Sequence, residues 1–374
     1  MIEKKLDQIK ELDLNQLKEN EVIESKKIEY KRELHLENRV EKKEFLADVS
    51  SFANTSGGDL IIGISESNGI PDVIEGLDKD IIDELKGKIE GLLRDGTEPR
   101  IKVDIKEVPL SNSKFALIIR VPHSWRSPHR VLLQDKNFYS RNSNGKYQLD
   151  VEELRTAFNL SENLIDKIRR FREDRLSNIY SDNAPITLGN TAKTIIHIIP
   201  INAFNPGQHY QINQITSYEL INGHPSEERY NFDGIVSYNL DGYVQLFKNG
   251  IIEAVDKKFT SNEIDGKSIP SGLYEPALIK ALKTNLNILN DLFVETPIFI
   301  FISLIGVKGY TMAINDQNFK IESLREQHII DRDVLILPEI ILEDYEFNAE
   351  KMKLSFDSLW NACGYEYSPF FRDK

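Results

Sequence analysis

The apolar positions of the chain change period several times in the first half. Leu6, Ile9, Leu12, Leu14 and Leu17 recur at spacings that predict a short amphipathic, core-facing helix. Residues 28–34 then alternate apolar and charged side chains, as a half-buried strand does, which puts Glu29 and Lys31 on one outer face. Helical spacing returns in 40–53 through Leu46, Val49 and Phe52/Ala53, and Asn54-Thr-Ser-Gly-Gly58 closes that helix in a tight turn. The aliphatic run 60–64 predicts a strand, followed by turn residues at Glu66-Ser-Asn-Gly69. A helix from Asp78 or Asp80 to about Arg94 follows, then strands at 101–108 and 115–121. Asp150 opens another helix. Ser161 is expected to cap a further one, with Leu164, Ile168, Phe171, Leu176 and Ile179 inward and Lys167, Arg170 and Arg175 on a solvated face.

The polar, proline-containing stretch Ser181-Asp-Asn-Ala-Pro185 has the composition of a link, and the pattern beyond it differs. Strands are predicted at 195–201, 233–239, 243–247 and 251–255. Asp241-Gly242 and Asn249-Gly250 separate the last three as type I′ turns, which need positive φ at both central residues. A β-meander results. A helix at 278–292, a buried strand at 298–304 and a helix at 354–362 closed by Gly364 complete the half, with Phe356 and Trp360 facing the core. The expected organisation is an N-terminal domain over 1–180 and a second α+β domain over 185–374.

Composition narrows the chemistry. The chain of 374 residues is 40% apolar and 29% charged, ordinary values for globular protein and enough length for two cores. No apolar run is long enough to span a bilayer and the first ten residues are charged, so a cytoplasmic location is expected. The single cysteine, Cys363, makes neither an intrachain disulfide nor a thiolate zinc site. A net charge of −13 argues against attraction of nucleic acid to the whole surface. The acidity is uneven: residues 185–374 hold 16 Lys and Arg against 25 Asp and Glu, and basic residues outnumber acidic ones between Arg120 and Arg175. A positive face is therefore expected in the first half.

Motif chemistry removes further classes. Gly189-Asn-Thr-Ala-Lys-Thr194 lacks the glycine before lysine that a phosphate-cradling loop needs, and no G-x-G-x-x-G follows a strand. The seven histidines show no ligand spacing, and no nucleophile elbow surrounds any serine. Glu24, Glu29, Lys31 and Glu66 remain, near one strand–helix–strand corner. Carboxylates there are either charges on a solvated face or oxygen ligands for Mg²⁺ or Mn²⁺, which activates water and offsets charge on a phosphate. Glu24 and Glu29 share a face of neither an ideal helix nor an ideal strand, so convergence needs a bend between them.

The blocks Glu24, Glu29-Tyr30-Lys31, Phe52-Ala53-Asn54-Thr55-Ser56-Gly57-Gly58 and Gly63-Ile64-Ser65-Glu66 resemble, in order, the AlbA-like domain of the Schlafen family. Ser127-Pro-His129 and Phe138-Tyr139-Ser140-Arg141 extend the resemblance over roughly the first 160 residues. It implies a mixed sheet with helices. It further implies a metal-dependent endoribonuclease for transfer RNA or other structured RNA, with phage defence as an implied role, Glu24, Glu29 and Glu66 holding Mg²⁺ or Mn²⁺ and Lys31 placing phosphate. Glu66 stands where that pattern more often has Asp. Arg126, His129, Arg130 and Arg141, with Trp125, Phe138 and Tyr139, are the expected nucleic-acid contacts, although such aromatics are also ordinary core residues. The alternative is a non-catalytic module that binds DNA or RNA. With one copy of the motif, a homodimer is expected to supply a second lobe, and the second domain to sense a signal or protein partner.

Overall fold

Asn38 explains where the first long helix begins. Its side chain accepts bonds from the amides of Val40 and Glu41, while Glu41 reaches back to the Asn38 amide, a reciprocal cap on orphan helix donors. The computed structural model describes the chain apart from residues 1, 3, 135, 206, 215–220, 222, 224–225, 261–266, 314–328 and 372–374. Packing divides it into two units, 1–163 and 164–374. Both are α+β.

The first unit runs through α1 (Glu11–Glu19), β1 (Ile28–Lys31), α2 (Arg39–Ala53), β2 (Gly58–Ile62), β3 (Ile64–Ser67), β4 (Ile70–Ile74), α3 (Lys79–Gly96), β5 (Thr97–Glu98), β6 (Asp104–Pro109), β7 (Phe115–Val121), β8 (Arg130–Val131), β9 (Tyr139–Asn142) and β10 (Gly145–Gln148). Its main sheet has the order β1-β2-β7-β6, with β1 and β2 parallel and the other pairs antiparallel. Alternation along the strands gives this mixed sheet two apolar faces. Leu60, Ile62, Leu117, Ile119 and Val121 pack with α2 and α3. Ile61, Ala116 and Ile118 pack on the other side with Ile9 and Leu14 of the leading segment. That segment is a 3₁₀ turn followed by α1 rather than one helix, and Leu12 on it is exposed. Arg120 ties the chain start to the sheet, with two bonds to the buried Asp59 carboxylate and two to the Ile2 and Lys4 carbonyls.

The predicted break at Ser161 is absent from the backbone: α4 is a single helix, Val151–Tyr180. The expected link 181–185 follows its C-terminal end. Leu164 to Tyr180 of this helix belong to the second unit, where Ile168, Leu176 and Ile179 are buried as their spacing predicted.

The second unit contains β11 (Lys193–Pro200), β12 (Glu227–Tyr230), β13 (Gly234–Tyr238), β14 (Gly242–Phe247), β15 (Ile252–Asp256), β16 (Ser268–Pro270), α5 (Ser271–Asp291), β17 (Ile298–Ile305), β18 (Thr311–Ala313), β19 (Val334–Ile336), β20 (Ile340–Leu342) and α6 (Lys353–Ala362). Among the described residues, an antiparallel sheet of eight strands has the order β12-β13-β14-β15-β11-β17-β19, with β20 also on β17. β13 to β15 are the expected meander, and β12 extends it by a strand that the sequence pattern did not predict. One face carries α5 and α6, including the buried Phe356, Leu359 and Trp360; the other carries Leu176 and Ile179 of α4.

The meander turns differ from the type I′ expectation. Only Gly250 among their central residues has positive φ (+87°). At the other hairpin the Asn239 side chain accepts from the amides of Asp241 and Gly242, so a side-chain turn closes it. Glycine is needed at 242 for space, because a Cβ there would lie 2.4 Å from the Val255 carbonyl oxygen. Arg175 also departs from its predicted solvated position. It makes a two-bond pair, each 2.7 Å, with Glu253, whose carboxylate is fully buried and also takes bonds from Tyr243 Oη (2.8 Å) and His197 Nε2 (3.0 Å). Burial alone would raise the Glu253 carboxyl, but Arg175 and His197 hold it down at about 2.

Candidate nucleic-acid interface

The bend required between Glu24 and Glu29 exists. Ser25 bridges Ile28, so the chain doubles back, and Glu24 Oε1 accepts the Tyr30 amide at 2.8 Å. The Glu24 amide donates to the Gly69 carbonyl at 2.7 Å, which places the β3–β4 turn beside it. Glu66 caps that turn through the Gly69 amide and is exposed. Burial raises the Glu24 carboxyl above its usual range, and the nearby charges of Glu29 and Glu66 push the same way against the Tyr30 bond and Arg141. The three carboxylates thus share one electrostatic neighbourhood.

They do not meet on a common point. Glu29 Oε2 accepts from Arg141 Nη2 at 2.7 Å, and its Oε1 lies 3.1 Å from Lys31 Nζ. Lys31 Nζ also lies 2.8 Å from Asp48 Oδ2, Lys146 Nζ donates to Asp48 Oδ1 at 2.6 Å, and Lys146 reaches Glu44 Oε2 at 2.7 Å. The outcome is a ladder of alternating charge, Arg141–Glu29–Lys31–Asp48–Lys146–Glu44, across β9, β1, α2 and β10. Burial would raise Glu29, yet Lys31 and Arg141 bring its carboxyl below the usual value. Burial would likewise lower Lys31, and Asp48 and Glu29 lift it instead. Buried Asp48 is raised by burial and by Glu29 despite both lysines. Among the described residues, no group of three or more His, Cys, Asp or Glu side chains is arranged to hold a metal ion.

Several predicted contacts sit away from the surface. His129 is 1% exposed, its amide donating to Asn54 Oδ1 and its ring Nδ1 lying 2.6 Å from the Pro99 carbonyl oxygen, and burial lowers its pKa. Arg141 is also buried, with its guanidinium 3.8 Å from the centre of the Phe52 ring. These positions remove both from the direct surface role expected of them. Arg130 lies at the edge, paired with Glu98. Lys31 is half-buried in the ladder, and Arg126 is exposed beside the Trp125 ring.

The Asn54–Gly58 turn orders this surface. Asn54 Nδ2 donates to the carbonyls of His129 and Tyr139, and Thr55 Oγ1 accepts the Arg141 amide. Gly57 has φ +66°, and a Cβ there would lie 2.7 Å from the His123 amide nitrogen; one on Gly58 would lie 2.8 Å from the Lys27 carbonyl oxygen. The turn therefore brings together the backbones carrying Lys27 and His123, both exposed, at one end of the sheet. Sequence reasoning missed Lys26, Lys27 and His123 here, and Glu44, Asp48 and Lys146 in the ladder. The exposed lysine pair and His123 were legible as basic residues; the approach of Lys27 to His123 was not.

Residues 24–150 match the family model described as "Schlafen, AlbA_2". No curated relative matches the chain. Solved structures similar over part of it include two. The DIP2311 protein from Corynebacterium diphtheriae shows 22% identity and a TM-score of 0.24, the match covering 33% of this chain and 22% of that one. The N-terminal domain of a putative ATP-dependent DNA helicase RecG-related protein from Nitrosomonas europaea shows 20% identity and a TM-score of 0.27, covering 37% of this chain and 90% of that domain. No helix among the described residues is long and apolar enough to cross a membrane. The ordered motifs and the family match agree: the N-terminal unit carries a Schlafen AlbA_2 domain, a nucleic-acid-related type.

Proposed function

We propose that the N-terminal unit binds nucleic acid at the end of its sheet where the Gly57-Gly58 turn meets the chain at Lys27 and His123. The supporting observation is that convergence, which gathers exposed basic side chains near the Trp125-Arg126 pair on a backbone clamped by Asn54. Cations supply phosphate affinity, and an aromatic–arginine pair offers a stacking surface for bases. A binder of this kind needs no metal.

A second, finer reading is metal-dependent cleavage of structured RNA such as transfer RNA, with Mg²⁺ or Mn²⁺ at Glu24, Glu29 and Glu66. It is favoured by one observation, the raised Glu24 carboxyl beside the two other acids, since a cation relieves such like-charge strain. In the geometry described, the three do not fit a shared ion. Both Glu29 oxygens face cations and one Glu66 oxygen faces an amide. Cleavage by this route requires Glu29 to exchange Lys31 and Arg141 for the ion.

Incubating the full chain with folded transfer RNA, unstructured RNA and DNA, in Mn²⁺ or EDTA, separates the readings. Salt-sensitive binding without product supports the binding module. A product that forms with Mn²⁺ and disappears with EDTA supports the nuclease. Absence of both binding and product refutes the two together. For phage defence the test is survival of infected cells with and without the chain. Solution mass checks the homodimer, and capture by the second unit in infected and uninfected cells checks its sensing of a partner.

A further inference from the structure

Lys31 and Lys146 come from distant parts of the chain, yet their ammonium groups lie against opposite oxygens of one carboxylate, at 2.8 and 2.6 Å. That carboxylate, Asp48, has only 1% of its side chain exposed, whereas Lys31 and Lys146 are 28% and 23% exposed. Asp48 therefore lies underneath and lets two like charges stand close together, while about a quarter of each lysine side chain stays exposed. The spacing of two ammonium groups across a carboxylate also suits two non-bridging oxygens of a phosphodiester. Such an anion takes one charge from each side without disturbing the carboxylate below.

The outer end of the ladder has a different character. Glu44 is 57% exposed and meets Lys146 at 2.7 Å from the solvent side. Its carboxyl is held below the usual value, first by the Lys146 bond. Exposed ion pairs of this kind hold weakly, because water solvates each partner nearly as well. A phosphodiester replacing Glu44 at Lys146 leaves the local charge unchanged, one anion for another. Glu29 cannot be displaced so readily, being fixed by the buried Arg141.

We propose that Lys31 and Lys146, set over Asp48, form a subsite for a nucleic-acid backbone phosphate, and that Glu44 occupies the place of that phosphate in the free protein. The proposal rests on the nucleic-acid-binding reading and adds to it a contact outside the Gly57-Gly58 end. It makes Glu44 a competitor, so removing an acid is expected to tighten binding through this one position.

The test measures affinity of the full chain for a labelled single-stranded RNA and a DNA duplex across a salt series. Lys146→Gln is expected to weaken binding several-fold and to lower the slope of log K against log salt by about 0.7 to 0.9. Lys146→Arg is expected to restore the slope. Glu44→Gln, on an exposed side chain, is expected to tighten binding several-fold at low salt, more than the same neutralisation at exposed Glu350. Lys308→Gln, an equal loss of charge in the second unit, controls for net charge. Wild-type binding with Glu44→Gln no tighter than Glu350→Gln, or with Lys146→Gln matching Lys308→Gln, overturns the subsite and leaves the binding reading standing. A wild-type chain that binds neither probe overturns both.

Discussion

Replacing Glu29 by Gln tests whether this residue is chiefly an architectural charge. The substitution keeps the shape of the side chain but removes the anion between Arg141 and Lys31, whose contacts are 2.7 and 3.1 Å. Each such pair, with charge centres near 4 Å and an effective dielectric of about 20, contributes roughly 4 kcal/mol of attraction before desolvation. Lys31 is 28% exposed and retains Asp48, so water and its second partner recover most of its loss. Arg141 is 2% exposed and is left with the Phe52 ring, a long Ser51 contact and the unbonded charge of Glu24. The expected cost is therefore dominated by one stranded guanidinium, about 3 to 5 kcal/mol. Amide hydrogen exchange on the full chain reads it, because peptides from β1 and α2 report on the first unit alone. Protection there should fall by about 100-fold or more at 1.4 kcal/mol per tenfold, while α5 and β17 stay unchanged. The paired change Glu29→Met with Arg141→Met should regain most of the loss, since neither charge is then left behind. A drop of less than threefold for Glu29→Gln would refute the reasoning. The result also governs any nuclease assay: lost cleavage in a Glu29 variant counts as chemistry only if the unit remains as protected as before.

Three further outcomes follow from distances already described. Glu66→Gln should lower the Glu24 pKa, seen by carbon NMR of the carboxyl across pH, because one raising charge is gone; no change would separate the two acids. The sign for stability is that Glu24, raised when folded, loses a stabilising contribution as pH rises through its folded value, and Glu66→Gln should reduce that loss. Arg175→Leu should destabilise the second unit by about 3 to 5 kcal/mol in urea followed by Trp360 fluorescence, with Arg175→Leu plus Glu253→Leu recovering part. Glu253 falls from 4.5 to about 2 on folding, so its contribution is full above pH 4.5 and is lost as pH drops towards 2; that acid dependence should shrink in Arg175→Leu. Asn54→Ala removes three hydrogen bonds, and should cost about 2 kcal/mol and speed amide exchange at 129 and 139–141 without unfolding the sheet.

The elements were legible wherever burial follows a period. The α2 helix and strands β7, β14 and β17 lie within a few residues of their predicted limits, because their buried faces repeat at 3.6 or 2 residues, or run continuously apolar. Asp48 shows why the site was less legible. Along α2 it reads as one more acid on a polar face, and its partners come from elsewhere: Lys31 on β1 and Lys146, 98 residues away. Arg175 reads as solvated for the same reason, its partner Glu253 lying 78 residues on. Ser161 was misread in the opposite sense: a good capping residue starts no new helix when the preceding turn already supplies its backbone partners. The acids Glu24, Glu29 and Glu66 were identifiable from ordered motifs and Lys31 from strand alternation, whereas the pairing of Glu29 with Arg141, 112 residues on, needed the fold.

The charge ladder bears on how sequence variation in this domain should be read. Its members are coupled as neighbours, so a change at one position shifts what is tolerated at the next. Across relatives, position 29 and position 141 should vary together, as should 48 with 31 and 146, while position 44, at the exposed end, should drift freely among acids and neutral residues. Covariation along that series, rather than invariance at any single glutamate, would be the mark of inheritance of this site.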